Sequence, residues 1–142
     1  MPRKDNLEVR PECKIILLCH QLMYCPNTRW YDVVHIIHEM YLPKLPGLTP
    51  PITGFAWLVG GAGFYTVHSE IRLQDDGQTN DVIHRTPSEQ IDCTDRRSVG
   101  VLTSNFPPLR LPREGFYDFI VFVDDEELVR WNFAVKAQRQ YP

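Results

Sequence analysis

The sequence predicts an all-β protein: a two-sheet antiparallel β-sandwich with about seven or eight strands. Short apolar or alternating runs recur at spacings of about ten residues, and turn residues separate them. The clearest runs are 116–123 and 128–135, which alternate apolar and polar residues on either side of the acidic turn 124–127 and point Trp131 and Phe133 inward. Two such arms form a hairpin whose apolar face needs a second layer.

Length and composition are those of one ordinary domain. The 142 residues are 43% hydrophobic and 23% charged, and we predict one sandwich domain over 12–137, a flexible N-terminal arm over 1–11 and a C-terminal tail over 138–142. A formal net charge of −3 provides no positive field for a phosphate backbone, so we expect no nucleic-acid partner. No run approaches the roughly 20 apolar residues of a membrane span, and the start does not resemble a signal peptide. We therefore expect no membrane partner and a cytoplasmic location.

The first third of the chain contains one clear strand and one ambiguous segment. Residues 14–24 are apolar or small at nearly every position, as in a strand covered on both faces. Residues 31–42 fit a helical stripe as well as a strand rich in β-branched residues, and we favour the strand. The run LPKLPGLTPP contains four prolines, which predicts an irregular connection.

The middle of the chain predicts a hairpin and two further strands. Residues 52–59 and 64–74 flank the turn GGAG, which is typical of a hairpin. The second arm alternates apolar and polar side chains, as a half-buried strand does. A short return strand over 82–86 and a strand over 99–106 complete the sandwich.

The order of these elements resembles that in a known group of proteins. Cys19 on an apolar first strand, the loop LPKLPG, the hairpin around GGAG and the ending LPREGFYDFIVFVDDEELVRWNFAV follow one another. The residues that mark the ending are Gly115, Tyr117, Phe119, Phe133 and Val135. Over about residues 13–136 the chain thereby resembles a family of small bacterial all-β proteins of unknown function, in a pattern shared by many immunoglobulin-like domains. The resemblance implies a fold; it implies no activity and no catalytic residue.

One short motif contains potential metal ligands. His35, His38 and Glu39 form H-x-x-H-E, and on a helix the two imidazoles would share a face at a spacing that suits a metal. On a strand, residues three apart point to opposite faces, so we expect partly exposed histidines and no bound metal. The other histidines that the fold could bring near are His20, His68 and His84.

No acid, base and nucleophile converge in the sequence. Cys13, Cys19 and Cys25 are six residues apart, which on one strand separates them by roughly 20 Å at each step, too far for a disulfide or a shared zinc. Cys19 and His20 are adjacent and would point apart on a strand. We therefore predict no catalytic residue and no cofactor.

Surplus hydrophobicity is the most informative functional feature. The outward face of 116–123 carries Ile120 and Phe122 beside Asp118, and the first strand is apolar on both sides. Either an interface or a long loop would cover such surface. We predict a non-enzymatic protein-interaction domain that binds itself as a homodimer or a larger protein partner, with Ile120 and Phe122 as interface candidates.

Two alternatives stay open. The protein could be a metal-dependent enzyme or metal-binding protein that uses His35 and His38. It could also be a carbohydrate- or small-ligand-binding module that uses Trp30, Tyr31 or Trp57 as stacking platforms. The position of Trp57 on a predicted core strand argues against the second alternative.

Overall fold

The secondary structure consists of β-strands, and there are more of them than predicted. The computed structural model describes residues 10–75, 78–94 and 99–138. Within these residues there are 12 strands rather than seven or eight. They are β1 Glu12–Cys25, β2 Trp30–Ile36, β3 Glu39–Leu42, β4 Gly47–Leu48, β5 Ile52–Val59, β6 Gly63–Asp75, β7 Gln78–Arg85, β8 Glu89–Cys93, β9 Val99–Phe106, β10 Arg110–Leu111, β11 Gly115–Val123 and β12 Glu126–Ala137. The number rises because the segment 31–42 divides in two, because the proline-rich connections contain the two-residue strands β4 and β10, and because β8 follows β7 in a polar stretch.

The first layer is a four-stranded antiparallel sheet with the order β2-β1-β5-β9. Strand β1 is 14 residues long and pairs with two different partners along its length. Its first half pairs with β5 as far as Cys19, opposite Thr53. Its second half pairs with β2, from Cys19 to Cys25. The end of the β1–β2 hairpin therefore extends beyond the part of β1 that pairs with β5.

The second layer is a six-stranded sheet with the order β3-β12-β11-β6-β7, in which β8 also pairs with β6. The predicted final hairpin is confirmed: β11 and β12 are antiparallel, and Tyr117 lies opposite Phe133. Strand β3 pairs with β12 in the parallel direction, so this sheet is mixed rather than purely antiparallel.

The core lies between the two sheets, which confirms the predicted β-sandwich. The ring of Phe106 on β9 meets the ring of Phe119 on β11 edge-on, with centroids 5.8 Å apart. Buried side chains from both layers form this cluster: Leu18, Ala56, Leu58, Leu102 and Phe106 from one, and Val67, Ile71, Tyr117, Phe119, Val121, Phe133 and Val135 from the other. Trp131 is half-buried, and its indole N–H donates to the carbonyl oxygen of Ile37 at 2.8 Å.

The hairpin predicted around GGAG is wrong. Strand β5 pairs with β1 and β9, whereas β6 pairs with β7, β8 and β11. Both edges of β5 are already occupied within its own sheet, so the glycine-rich segment carries the chain from one layer to the other. Gly60 has φ 78°, a left-handed conformation that glycine adopts without strain.

The ambiguous segment 31–42 is extended, as favoured. It leaves the four-stranded sheet after β2 and enters the six-stranded sheet as β3. Backbone hydrogen bonds secure this crossing: Ile37 N–H donates to Leu18 O at 2.7 Å, and Ala134 N–H donates to His38 O at 3.0 Å.

The ends of the chain are described in part. Residues 1–9 of the predicted arm and 139–142 of the predicted tail lie outside the described residues. Arg10, at the inner end of the arm, forms an ion pair with Glu126 at 3.0 Å. The described residues include no helix with the length and apolar character that crossing a bilayer requires.

Candidate functional site

A second apolar cluster lies on the outer face of the four-stranded sheet. Successive residues of β5 point to opposite faces, so Ala56 faces the sandwich core while Phe55 and Trp57 face outward. Phe55 is nevertheless buried, together with Leu17 and Cys19 of β1. Something must therefore cover this outer face.

The β1–β2 hairpin provides that cover. Tyr31 on β2 contacts Phe55 with ring centroids 5.1 Å apart, and Tyr24 on β1 contacts Tyr31 at 4.9 Å. Phe55 in turn meets Trp57 edge-on at 6.5 Å. These contacts require the free end of the hairpin to bend back over the sheet, and they produce a continuous row of aromatic rings.

A pocket opens between the bent hairpin and the sheet, with a volume of about 680 Å³. Its described lining residues are Tyr24, Arg29, Trp30, Tyr31, Trp57 and Val101. The volume falls within the range of about 300–1,000 Å³ that is typical of small-ligand sites. Trp30, Tyr31 and Trp57, the three aromatic residues considered as stacking platforms, thus lie in one pocket.

The aromatic residues of the pocket differ in how much of their surface is exposed. Trp30 is 69% exposed and Tyr24 is 51% exposed, whereas Trp57 is half-buried on the sheet. Tyr24 and Arg29 are not among the residues predicted from the sequence. Pairing the strands around the CPNT turn would have found Tyr24, because it lies directly opposite Tyr31.

The turn of the hairpin fixes Arg29 beside the aromatic residues. Arg29 N–H donates to the carbonyl oxygen of Cys25 at 2.7 Å, and Arg29 has φ 62°. That left-handed conformation is uncommon for a residue with a side chain and is held here by the hydrogen bond and by the pairing of Cys25 with Trp30. Arg29 is the charged residue among the described lining residues.

The four cysteines have different environments. Cys25 is exposed in the hairpin turn, and a hydrogen bond with the Thr28 side chain lowers the pKa of its thiol. Burial raises the pKa of the Cys13, Cys19 and Cys93 thiols. Cys25 is therefore the thiol with the greatest thiolate character, and it is near the pocket but not among its lining residues.

The H-x-x-H-E residues lie on the surface where the chain changes sheets. His35, His38 and Glu39 are all exposed. Glu39 forms an ion pair with Lys136 at 2.9 Å, and this hydrogen-bonded ammonium lowers the pKa of the carboxyl group. The ring of His35 is nearest to that of His20, with centroids 6.1 Å apart.

The remaining histidines lie elsewhere. His68 is 3% exposed, with its Nε2 3.4 Å from Glu70 Oε2. His84 meets the ring of Phe106 edge-on at 5.6 Å. Among the residues that the structure describes, no group of three or more His, Cys, Asp or Glu side chains is placed to hold a metal ion.

The two interface candidates, Ile120 and Phe122, differ in how far they are buried. Ile120 lies on the outer face of the six-stranded sheet but is 0% exposed, so it has no surface to offer a partner. Its cross-strand neighbours are Glu70 and Arg130, whose long side chains can cover it. Phe122 is half-buried and stacks on His68 with ring centroids 4.7 Å apart. Its role in an interface stays a prediction.

A buried polar cluster makes up the centre of the same outer face. Asp118 is 0% exposed and accepts hydrogen bonds from Gln74 Nε2 at 2.9 Å, from Arg130 at 2.9 Å and from Asn132 Nδ2. Close by, Arg72 Nε donates to Glu70 Oε1 at 2.5 Å. Charged groups that satisfy one another therefore cover the centre of this face, while Phe64 and Phe116 on the same sheet are exposed.

Comparisons with known proteins give distant similarities to solved structures. No protein-family model matches the chain, and no curated protein matches it. An alkylpurine DNA glycosylase from Pseudomonas fluorescens, solved bound to DNA containing an abasic site analog, is 12% identical over 86% of this chain and 30% of its own, with a TM-score of 0.46. A β-glucosidase from Listeria innocua, solved in complex with isofagomine, is 8% identical over 89% of this chain and 16% of its own, with a TM-score of 0.42. An immunoglobulin-like protein from Pseudomonas aeruginosa is 16% identical over 91% of this chain and 97% of its own, with a TM-score of 0.37. The chain thus spans less than a third of the first two proteins, and similarities at this level carry no argument about function.

Proposed function

We propose that this protein is a non-catalytic binding domain that holds a saccharide in the aromatic pocket. The observation that carries the proposal is the convergence of Trp30, Tyr31 and Trp57, with Tyr24, around one cavity of about 680 Å³. A pyranose ring has an apolar C–H face that packs on a flat aromatic ring, and its hydroxyl groups bond to polar atoms at the ring edges. Tyrosine O–H, indole N–H and guanidinium groups are suitable partners.

The packing beneath the pocket supports this proposal. Tyr31 rests on the buried ring of Phe55, and Trp57 meets the same ring edge-on. These two rings are ordered before a ligand arrives, so binding does not have to restrict them further. Trp30 is 69% exposed, and a stacked sugar would remove part of that apolar surface from water.

A protein partner is the second candidate function. Met23, Trp30 and Ile36 are exposed apolar residues on the same hairpin, and β2 is the edge strand of its sheet. Tryptophan, tyrosine and arginine are the residues that most often anchor protein interfaces. An edge strand can also pair with another chain, which would make a homodimer through β2.

We also propose that the domain is immunoglobulin-like and works in the cytoplasm. The order of elements and the pattern of Gly115, Tyr117 and Phe119 on β11 support the first statement. The free cysteines Cys13, Cys19, Cys25 and Cys93 support the second, since a reducing compartment keeps thiols unpaired.

The test is binding to immobilised oligosaccharides of defined sequence, both neutral and acidic. We expect the protein to retain at least one class, and Trp30→Ala to weaken that binding about tenfold or more because a stacking platform is lost. Phe64→Ala is the matched control, because Phe64 is an aromatic residue 59% exposed on the other sheet.

Two outcomes would count against saccharide binding. One is that no oligosaccharide class is retained; the other is that Phe64→Ala weakens binding as much as Trp30→Ala. Sedimentation velocity on the same samples addresses the second candidate. If the wild type binds no saccharide and forms a dimer, and Trp30→Ala is monomeric, the result would favour self-association through the hairpin.

A further inference from the structure

We infer that the pocket selects a saccharide bearing a carboxylate group, and that Arg29 is the residue that binds this group. The inference rests on the proposed function and specifies the class of its ligand. The described residues that line the pocket, other than Arg29, are four aromatic residues and one valine. A neutral stacking surface therefore carries one positive charge.

The charge of Arg29 is available to a ligand. None of the described carboxylates forms an ion pair with Arg29. Other arginines of the chain have carboxylate partners: Arg10 with Glu126, Arg72 and Arg85 with Glu70, and Arg130 with Asp118 and Glu127. Asp32 lies near the same turn, but among the described residues it forms no ion pair with Arg29, so the guanidinium group at the pocket wall is available to a ligand.

The geometry of the turn places this charge beside the stacking surface. The hydrogen bond from Arg29 N–H to Cys25 O fixes the backbone, and Trp30 follows directly on the edge strand β2. A guanidinium group binds a carboxylate through two parallel N–H···O bonds. Arg29 is exposed, so its guanidinium group is accessible to a ligand carboxylate. A sugar stacked on Trp30 or Trp57 would thus bring a ring carboxylate towards Arg29.

Two kinds of sugar provide the required carboxylate, namely hexuronic acids and sialic acids. Isothermal titration of the full chain would distinguish them with two matched pairs of probes: trigalacturonic acid against its methyl ester, and 3′-sialyllactose against lactose. We expect at least one acid to bind about tenfold more tightly than its neutral partner, as a charge-assisted hydrogen-bonded pair implies. The pair that shows the preference identifies the source of the carboxylate.

Variants of Arg29 test the residue itself. Arg29→Gln should lower the affinity for the acid far more than the affinity for the neutral partner, so that the preference is lost, while Arg29→Lys should keep part of the preference. Arg110→Gln removes an equal charge at an exposed residue beside a different cavity and should change nothing. Circular dichroism and unfolding midpoints equal to wild type would show that the variants are folded.

The outcomes separate the two proposals. Equal affinity for acid and neutral partner, or a preference that survives in Arg29→Gln, would overturn the role of Arg29 and leave saccharide binding in place. If the wild type binds neither member of either pair and no neutral oligosaccharide, then the proposed function fails and the carboxylate preference fails with it.

Discussion

Asp118→Ala should lower the free energy of unfolding by about 3 kcal/mol, the cost of leaving buried donors without their acceptor. Asp118 is 0% exposed at the centre of the six-stranded sheet and accepts hydrogen bonds from Gln74, Arg130 and Asn132. Alanine removes the acceptor for all three side chains at once. Urea unfolding monitored by tryptophan fluorescence measures the loss.

Arg130, which binds Asp118, also provides the control for the Asp118→Ala prediction. Arg130 also pairs with Glu127, a surface carboxylate, through contacts of 2.6 and 2.7 Å. Exposed ion pairs contribute about 0–1 kcal/mol, so Glu127→Ala should cost far less than Asp118→Ala. Equal losses in the two variants would show that the buried position of Asp118 does not matter.

Gly54→Ala should destabilise the protein by about 1–3 kcal/mol or more, because the space between the sheets is already full. A Cβ atom at Gly54 on β5 would lie 2.3 Å from Cζ of Phe119 on β11. Phe119 is 0% exposed, so its ring has little room to move aside. The sheets would have to separate locally to admit one methyl group.

A double-mutant cycle shows whether this contact is the cause. Phe119→Leu removes the ring atoms that the new methyl group would meet and should itself cost stability through a cavity. In the Phe119→Leu background, Gly54→Ala should cost much less than it does in the wild type. Strictly additive losses would contradict the close approach of β5 and β11.

The sequence was most informative where a strand has one face in the core and one face outward. On β11, Tyr117, Phe119 and Val121 alternate with polar or outward residues, and all three are buried in the sandwich as predicted. This alternation shows which face of a strand is buried, but it does not show which strands pair with each other. For that reason β5 and β6 were paired with each other in the prediction, although they lie in different layers.

Outward-facing residues were harder to predict because their covering comes from distant parts of the chain. Ile120 looked like exposed apolar surface, but the side chains beside it come from β6 and β12. Long charged side chains can cover an apolar residue without a second layer. The local sequence pattern does not predict such covering.

The sequence indicated which aromatic residues could bind a ligand, but it did not indicate where in the fold they would form a pocket. The sequence places Trp57 on a predicted core strand, but a second apolar cluster covers the other face of this strand. Trp30 and Tyr31 reach Trp57 because the β1–β2 hairpin bends back over the sheet. That bend depends on the contact of Tyr31 with Phe55, which are distant in sequence.

Intermolecular nuclear Overhauser effects show whether the saccharide lies in the aromatic pocket, in the complex with whichever of trigalacturonic acid and 3′-sialyllactose the titrations show to bind. With isotope-labelled protein and unlabelled saccharide, we expect magnetisation transfer between the ring C–H protons of the sugar and the indole protons of Trp30 and Trp57. Contacts confined to other aromatic residues, such as Phe64 or Phe116 on the second sheet, would contradict this expectation.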